Sequence, residues 1–150
     1  MQGGISSKMN QWTYFGLGPH QTYVDRKASG LTGVYSDAVE DSFYPYIDAQ
    51  ESGNRTSVRW AHVSSEAGGE LRVDALGQSL LEVSLYPYAP DEIELARHDV
   101  DLTSGEQWWL NIDLQQMGLG GTNSWGHQPL PQYRLPGGQT YEYSFLLSYE

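Results

Sequence analysis

The fold class is decided by an alternating segment, Trp108-Trp109-Leu110-Asn111-Ile112-Asp113-Leu114. One face of this segment carries Trp108, Leu110, Ile112 and Leu114, and the other carries Trp109, Asn111 and Asp113. A period of two residues is typical of a β-strand with one buried and one wetter face. The segment therefore predicts a strand that lies within a sheet.

The same two-residue period recurs along most of the chain, between turns rich in glycine and proline. It predicts strands at residues 11–15, 31–39, 56–63, 70–75, 81–85, 108–114 and 141–149. Within residues 56–63, the pattern places Val58, Trp60 and His62 on one face. A short helix is predicted at residues 90–97, because Pro90 suits a first helical position and acidic residues follow it. These elements indicate an all-β chain folded as an antiparallel β-sandwich with one short helix.

Length and composition limit the classes of function. The 150 residues support one domain, and they are too few for a (β/α)₈ barrel of about 250 residues. The 19 acidic and 8 basic residues give a net charge of −11, which argues against nucleic acids and anionic membranes as partners. The sequence has no cysteine, which fits a cytoplasmic protein. Residues 1–10 are small and polar, and we expect a linker or cloning remnant outside the fold.

No catalytic or metal-binding motif stands out from the sequence. The histidines, His20, His62, His98 and His127, lack the close spacing of metal ligands, so no metal site is predicted. The acidic residues are interpreted as a solvated surface, because neighbouring acids do not by themselves make a glycosidase pair. Glu51 and Arg55 lie near each other at a predicted turn, and we expect them to form a structural ion pair.

Trp125 is the candidate binding residue. It lies in a polar, glycine-rich loop, Gly118-Leu119-Gly120-Gly121-Thr122-Asn123-Ser124-Trp125-Gly126. The indole either folds back to cap the sandwich or offers a flat apolar face to a ligand such as a sugar. Burial of such a face contributes about 1–3 kcal/mol, which helps to position a sugar without holding it alone. The residues by themselves leave both interpretations open.

Three blocks of the sequence resemble, in the same order, the last domain of bacterial β-galactosidases of glycoside hydrolase family 2. The first block is Phe15-Gly16-Leu17-Gly18-Pro19 followed by Tyr23, Asp25 and Arg26. The second is Tyr44-Pro45-Tyr46-Ile47 followed by Gln50-Glu51-Ser52-Gly53-Asn54-Arg55-Thr56 and Val58-Arg59-Trp60. The third is Trp109-Leu110-Asn111-Ile112-Asp113 followed by Met117-Gly118-Leu119-Gly120-Gly121 and Ser124-Trp125. Together the blocks identify a family more specifically than any one of them does.

The resemblance implies that residues 11–150 form the C-terminal half of that domain, within a large sandwich of the galactose-mutarotase type. It implies a parent enzyme that hydrolyses terminal β-D-galactosides such as lactose, with its catalytic carboxylates and its Mg²⁺ and Na⁺ ions in other domains. We therefore expect no catalytic residue, cofactor or metal in this segment, and no activity from the isolated chain. Trp125 matches the tryptophan that contacts the sugar in that family, which favours a substrate-binding role.

The resemblance also implies partners and leaves rivals. The expected partners are the β-galactoside and the remaining domains or large subunit of the parent, and the fragment could also pair with a second copy. The sequence departs from the family at His20-Gln21-Thr22 and at Thr122-Asn123, and the retained Asp25-Arg26 pair is interpreted as structural. The rivals are a free-standing carbohydrate-binding module that uses Trp125 with Trp108 or Trp109, a mutarotase-type enzyme, and a pure interaction domain.

Overall fold

The computed structural model describes residues 1–123 and 125–150, and strands make up most of its regular structure. The strands are β1 (Gln2–Ser6), β2 (Gln11–Gly18), β3 (Leu31–Ala38), β4 (Arg55–Val58), β5 (Trp60–Ser64), β6 (Glu70–Leu76), β7 (Leu81–Tyr86), β8 (Gln107–Asp113) and β9 (Ser144–Tyr149). The helix α1 spans Pro90–Leu95, and short 3-10 turns lie at Val39–Ser42, Asp99–Asp101 and Pro131–Tyr133. The predicted short helix is thus confirmed, although it ends two residues early.

The strands form two antiparallel sheets that enclose one main core. The order is β1-β8-β7-β4 in the four-stranded sheet and β3-β2-β5-β6-β9 in the five-stranded sheet. Trp108, Leu110 and Ile112 of β8 are buried, as the alternating segment predicts, and they pack in a cluster with Trp12 and Tyr14 of β2. The predicted all-β antiparallel sandwich is confirmed, and its place within a larger sandwich stays a prediction.

A second, smaller cluster lies beneath α1. Ile93 of the helix packs with Phe43 and Tyr86, while Trp109 covers the cluster from β8. Every residue of β7 is buried: Leu81, Val83 and Leu85 pack in the main core, and Tyr86 packs in the small cluster. No helix within the described residues is long and apolar enough to cross a membrane.

The expectation that residues 1–10 lie outside the fold is wrong. Residues Gln2–Ser6 form β1, which pairs with β8 so that Ile5 lies opposite Trp108. Met9 is buried in the main core. The segment was missed because β1 lies at the edge of its sheet and none of its residues is fully buried, so the sequence shows no apolar face.

Residues 56–63 do not form the single strand that the pattern predicts. Ser57 has φ of 58°, a left-handed conformation, and the chain then leaves β4 in one sheet and enters β5 in the other. The change of sheet reverses which side chains face inward. Val58 is fully buried, whereas Trp60 and His62 are only partly buried and lie beside each other with ring centroids 4.7 Å apart.

The segment 141–149 is a strand only from Ser144 onward, and β9 lies at the edge of the five-stranded sheet. Its apolar alternation has the predicted phase, because Phe145, Leu147 and Tyr149 lie opposite inward residues of β6. The burial is incomplete, however, since Tyr149 is exposed. An edge strand has a neighbour on one side only, which explains the difference.

Candidate functional site

Trp125 lies in the long connection between β8 and β9, and its side chain is 90% exposed. An indole that capped the sandwich would be largely buried, so the structural interpretation of Trp125 is wrong for this chain. The described part of the connection is residues 114–123 and 125–143, and Ser124 lies outside the described residues. The substrate-binding role of Trp125 remains a prediction.

A carboxylate clamp holds the glycine-rich segment that leads to Trp125. Asp25 accepts one hydrogen bond from the backbone N–H of Leu119 at 3.0 Å and another from that of Gly120 at 2.8 Å. Each carboxylate oxygen takes one of these two bonds, and charge-assisted bonds of this kind are stronger than neutral ones. Asp25 therefore has the structural role predicted for it, and its partner is the loop rather than Arg26.

The glycines of this segment are required by the clamp. A Cβ atom on Gly118 would lie 2.6 Å from a carboxylate oxygen of Asp25 and 2.8 Å from Cβ of Tyr133. The backbone N–H of Gly118 donates to the carbonyl of Tyr133 at 2.8 Å, which brings the two ends of the loop together. Gly120 has φ of 77°, a left-handed conformation that disfavours other residues. A small cavity of about 160 Å³ lies beside the clamp.

Asn123 then shapes the tip of the loop. Its side-chain oxygen accepts a hydrogen bond from the backbone N–H of Trp125 at 2.9 Å and a longer one from that of His127 at 3.4 Å. An asparagine that bonds the backbone two residues ahead makes a tight local turn. Asn123 thus provides the oxygen acceptor that this turn needs.

Asp25 is itself positioned by a buried network at the start of β4. Tyr23 and Arg26 close a tight turn through paired backbone hydrogen bonds, and Asp25 lies within that turn. The residue before the turn, Thr22, is anchored to β4 by hydroxyl contact with Thr56 at 2.9 Å and by the side chain of Asn54, which donates to its carbonyl at 2.9 Å. The end of the sandwich thus fixes the clamp.

Glu82 anchors the other end of the loop. It lies on β7 and is 7% exposed. Its carboxylate accepts hydrogen bonds from Asn54 Nδ2 at 2.8 Å and from the backbone N–H of Gln116 at 3.1 Å. Burial raises the pKa of Glu82 from its ordinary value of 4.5 to about 7, although both hydrogen bonds oppose this change. Asn54 therefore connects the Asp25 side of the loop to the Glu82 side.

The predicted ion pair between Glu51 and Arg55 does not form. Arg55 pairs instead with Asp37 of β3 at 3.6 Å, while Glu51 accepts a hydrogen bond from the side chain of Gln116 at 3.0 Å. Arg55 is buried whereas Glu51 is exposed, so the charge of Arg55 is balanced by Asp37 on β3 instead. Glu51 consequently contacts the start of the connection between β8 and β9 (residues 114–143), which we call the Trp125 loop.

Arg26 of the first resemblance block, and Gln21 and His62 outside it, also have structural partners. Arg26 donates to the hydroxyl of Tyr46 at 2.9 Å, and Gln21 donates to the same hydroxyl at 2.5 Å. Gln21 also accepts a hydrogen bond from the backbone N–H of Gly53 at 2.9 Å. His62 lies on β5, as expected for a histidine that packs on a sheet, and its Nδ1 is 2.8 Å from Glu70.

Comparison with known proteins identifies the family of the chain. The family described as β-galactosidase small chain matches residues 1–147. The chain belongs to this family. The match begins at residue 1, in agreement with the inclusion of β1 in the fold.

Three relatives show the extent of the similarity. The chain is 31% identical to the β-galactosidase of Priestia megaterium over 143 residues, which are 95% of this chain and 14% of that protein. It is 38% identical to the β-galactosidase of Lactobacillus delbrueckii subsp. bulgaricus over 131 residues, 87% of this chain and 13% of that protein. It is 31% identical to the β-galactosidase of Streptococcus thermophilus over 147 residues, 98% of this chain and 14% of that protein. The chain thus spans about one seventh of the length of these relatives.

The sequence pointed to the Trp125 loop of this β-galactosidase small-chain segment, but not to most of the residues that anchor the loop. Trp125 stood out because a bulky ring is unusual among small polar residues. Glu82 gave no such signal, since in the sequence it resembles the polar face of an alternating strand. Its hydrogen-bond partners, Asn54 and the backbone of Gln116, are distant in the sequence, so its environment is a tertiary feature. Asp25 was partly predictable, because a carboxylate often accepts hydrogen bonds from the exposed backbone N–H groups of a glycine-rich segment.

Proposed function

We propose that this chain is a β-sandwich segment of a larger β-galactosidase, in which it provides scaffold and one aromatic wall of the sugar site. The single observation that carries the proposal is the presentation of Trp125, 90% exposed on a loop anchored at several points. The family membership and the β-galactosidase names of the relatives support it. The finer assignments to glycoside hydrolase family 2 and to the cytoplasm stay predictions.

The chemistry of the wall is binding and orientation. The C–H groups of a galactoside ring pack against the flat face of an indole, and this contact removes apolar surface of both partners from water. A contribution of about 1–3 kcal/mol is enough to orient the sugar when other groups supply the hydrogen bonds. Rigid anchoring helps, because a preorganised ring loses little freedom on binding. Asp25, Glu82 and Asn123 provide that anchoring.

We place bond cleavage outside this chain. A retaining glycosidase needs two carboxyl groups about 5–5.5 Å apart on either side of the scissile bond. The anchored acids near the loop, Asp25 and Glu82, accept hydrogen bonds from the backbone and serve structure. The catalytic carboxylates, and the Mg²⁺ and Na⁺ ions that the resemblance implies, are then expected in the rest of the parent protein.

A free-standing carbohydrate-binding module is the rival proposal. It would need rings near Trp125 to form a platform, and Trp108 and Trp109 were its candidates. Trp108 is buried in the main core, and Trp109 covers the small cluster under α1. Trp108 is therefore not free to stack on a sugar and Trp109 is partly covered, so the observations favour the segment of a larger enzyme.

The test is complementation between two pieces of the parent protein. The full-length parent is truncated to remove the segment that corresponds to this chain, and the 150-residue chain is then added in trans. We expect hydrolysis of 2-nitrophenyl β-D-galactoside only in the mixture. A Trp125→Phe chain should restore more activity than a Trp125→Ala chain, because it keeps an aromatic face. Turnover by the pure chain, or full restoration by Trp125→Ala, would contradict the proposal.

A further inference from the structure

A cavity of about 210 Å³ lies beside Arg26, next to the turn that holds Asp25. None of the residues that line this cavity belongs to the Trp125 loop. Its wall includes Gln21, Arg26, Asp37, Asp41, Tyr44 and Arg55. A water molecule occupies about 30 Å³ in the liquid, so the cavity has room for about seven waters or for one small ring-sized molecule. Basic, acidic and aromatic side chains meet here within one small volume.

Arg55 is the structural centre of this cavity. It is 4% exposed, and its guanidinium lies over the rings of Trp12 and Tyr14 at 5.6 and 5.4 Å. Its Nε donates to the hydroxyl of Tyr14 at 2.8 Å, and its Nη1 donates to the carbonyl of Gly53 at 2.8 Å. The side chain is therefore fixed before any ligand arrives.

The remaining guanidinium nitrogen is not fully used. Arg55 Nη2 lies 3.6 Å from Asp37 Oδ2, which is an ion-pair distance beyond the usual range of a hydrogen bond. Asp37 Oδ2 has no hydrogen-bond donor among residues 1–123 and 125–150. Buried polar groups are normally satisfied, and a further polar group that binds beside Asp37 would account for this exception. A hydroxyl group that enters the cavity would supply the acceptor that Nη2 lacks.

The charges that line the cavity select the class of ligand. Arg26 and Arg55 would oppose a cation, while Asp37, Asp41 and the net charge of −11 would oppose an anion. A neutral molecule with several hydroxyl groups can donate to the carboxylates and accept from the guanidinium groups. Tyr44, which is exposed, offers a ring face for C–H groups. We propose that this cavity is a second sugar site that binds a single neutral pyranose, separate from Trp125.

This proposal does not rest on the proposed function, because none of its residues belongs to the Trp125 loop. It is tested on the 150-residue chain by two-dimensional ¹⁵N NMR, with methyl β-D-galactopyranoside and D-glucose as probes. We expect saturable shifts of the Gln21 side-chain amide and of the backbone at residues 41–44, with a Kd of about 1 mM. Shifts that rise without saturation, or no shifts with either sugar, would overturn the proposal.

Variants of exposed lining residues locate the site without disturbing the core. Asp41→Asn and Arg26→Gln should each weaken binding about tenfold, since each loses a charge-assisted hydrogen bond. Lys27→Gln is the matched control, because Lys27 is an exposed neighbour that does not line the cavity. Lys27→Gln and Trp125→Ala should keep the wild-type Kd. Loss of binding in Trp125→Ala would move the site to the loop, and shifts caused by sodium acetate but by neither sugar would make it an anion site; either result refutes the proposal.

Discussion

Glu82 makes the stability of this protein depend on pH in a direction opposite to that of most carboxyl groups. It is buried on β7, where its carboxylate accepts hydrogen bonds from Asn54 and from the backbone of Gln116. Burial raises its pKa to about 7, compared with an ordinary value of 4.5. The folded chain therefore binds a proton more tightly at this residue than the unfolded chain does.

The sign and the size of the effect follow from that difference. Below about pH 4.5, Glu82 is protonated in both states, and its stabilising contribution is complete. As pH rises towards about 7 and beyond, the unfolded chain gains the free energy of ionisation first, and the contribution is lost. One pKa unit corresponds to about 1.4 kcal/mol, so the change across this window amounts to about 3 kcal/mol in the free energy of unfolding.

Glu82→Gln isolates this contribution, because glutamine keeps an oxygen acceptor and does not ionise. The free energy of unfolding is measured by urea titration at several values between about pH 4.5 and about pH 8. The stability of Glu82→Gln relative to wild type should rise by about 3 kcal/mol across that range. Glu66→Gln, which changes an exposed carboxylate, is the control. A difference between Glu82→Gln and wild type that stays constant with pH would refute the reasoning.

Three further predictions address the clamp, the crossing between sheets and the core. Asp25→Asn should speed hydrogen exchange at the amides of Leu119 and Gly120 about tenfold, because one amide loses its acceptor and the other keeps only a neutral oxygen; unchanged exchange would argue against the clamp. Ser57→Gly should stabilise the chain against urea by about 0.5–1 kcal/mol, because glycine accepts a φ of 58° without strain, and a loss of stability would contradict this. Val83→Ala should cost about 2–3 kcal/mol, whereas the exposed Val34→Ala should cost less than about 0.5 kcal/mol in the same assay, and similar costs would mean that the core is misplaced.

The sequence predicted those parts of the fold that depend on local alternation. The segment 108–114 corresponds to β8 within one residue at each end. Its alternating pattern was readable because the apolar side chains face the core and the more polar ones face away from it. Residues 56–63 were misjudged, since the crossing between sheets is produced by the single left-handed residue Ser57 within an otherwise regular pattern. A serine gives no warning of that conformation in the way that a glycine would.

The candidate site divides in the same way. Trp125 was found because its residue type conflicts with its surroundings in the sequence. The residues that anchor its loop, Asp25 and Glu82, were not found, because they are far from the loop in the sequence. Arg55 likewise pairs with Asp37 on a different strand rather than with its neighbour Glu51. Such pairings are set by strand register and burial, which a single sequence does not specify.

The exposed ring of Trp125 is the basis of the proposed function, and the kinetics of the full-length parent test its role most directly. Trp125→Ala and Trp125→Phe are compared with wild type for lactose hydrolysis, while circular dichroism checks that the fold is retained. Loss of about 1–3 kcal/mol of apolar contact predicts that KM rises between about 5-fold and about 150-fold in Trp125→Ala, with a smaller rise in Trp125→Phe. An unchanged KM for lactose in a folded Trp125→Ala protein would show that the ring does not contact the sugar.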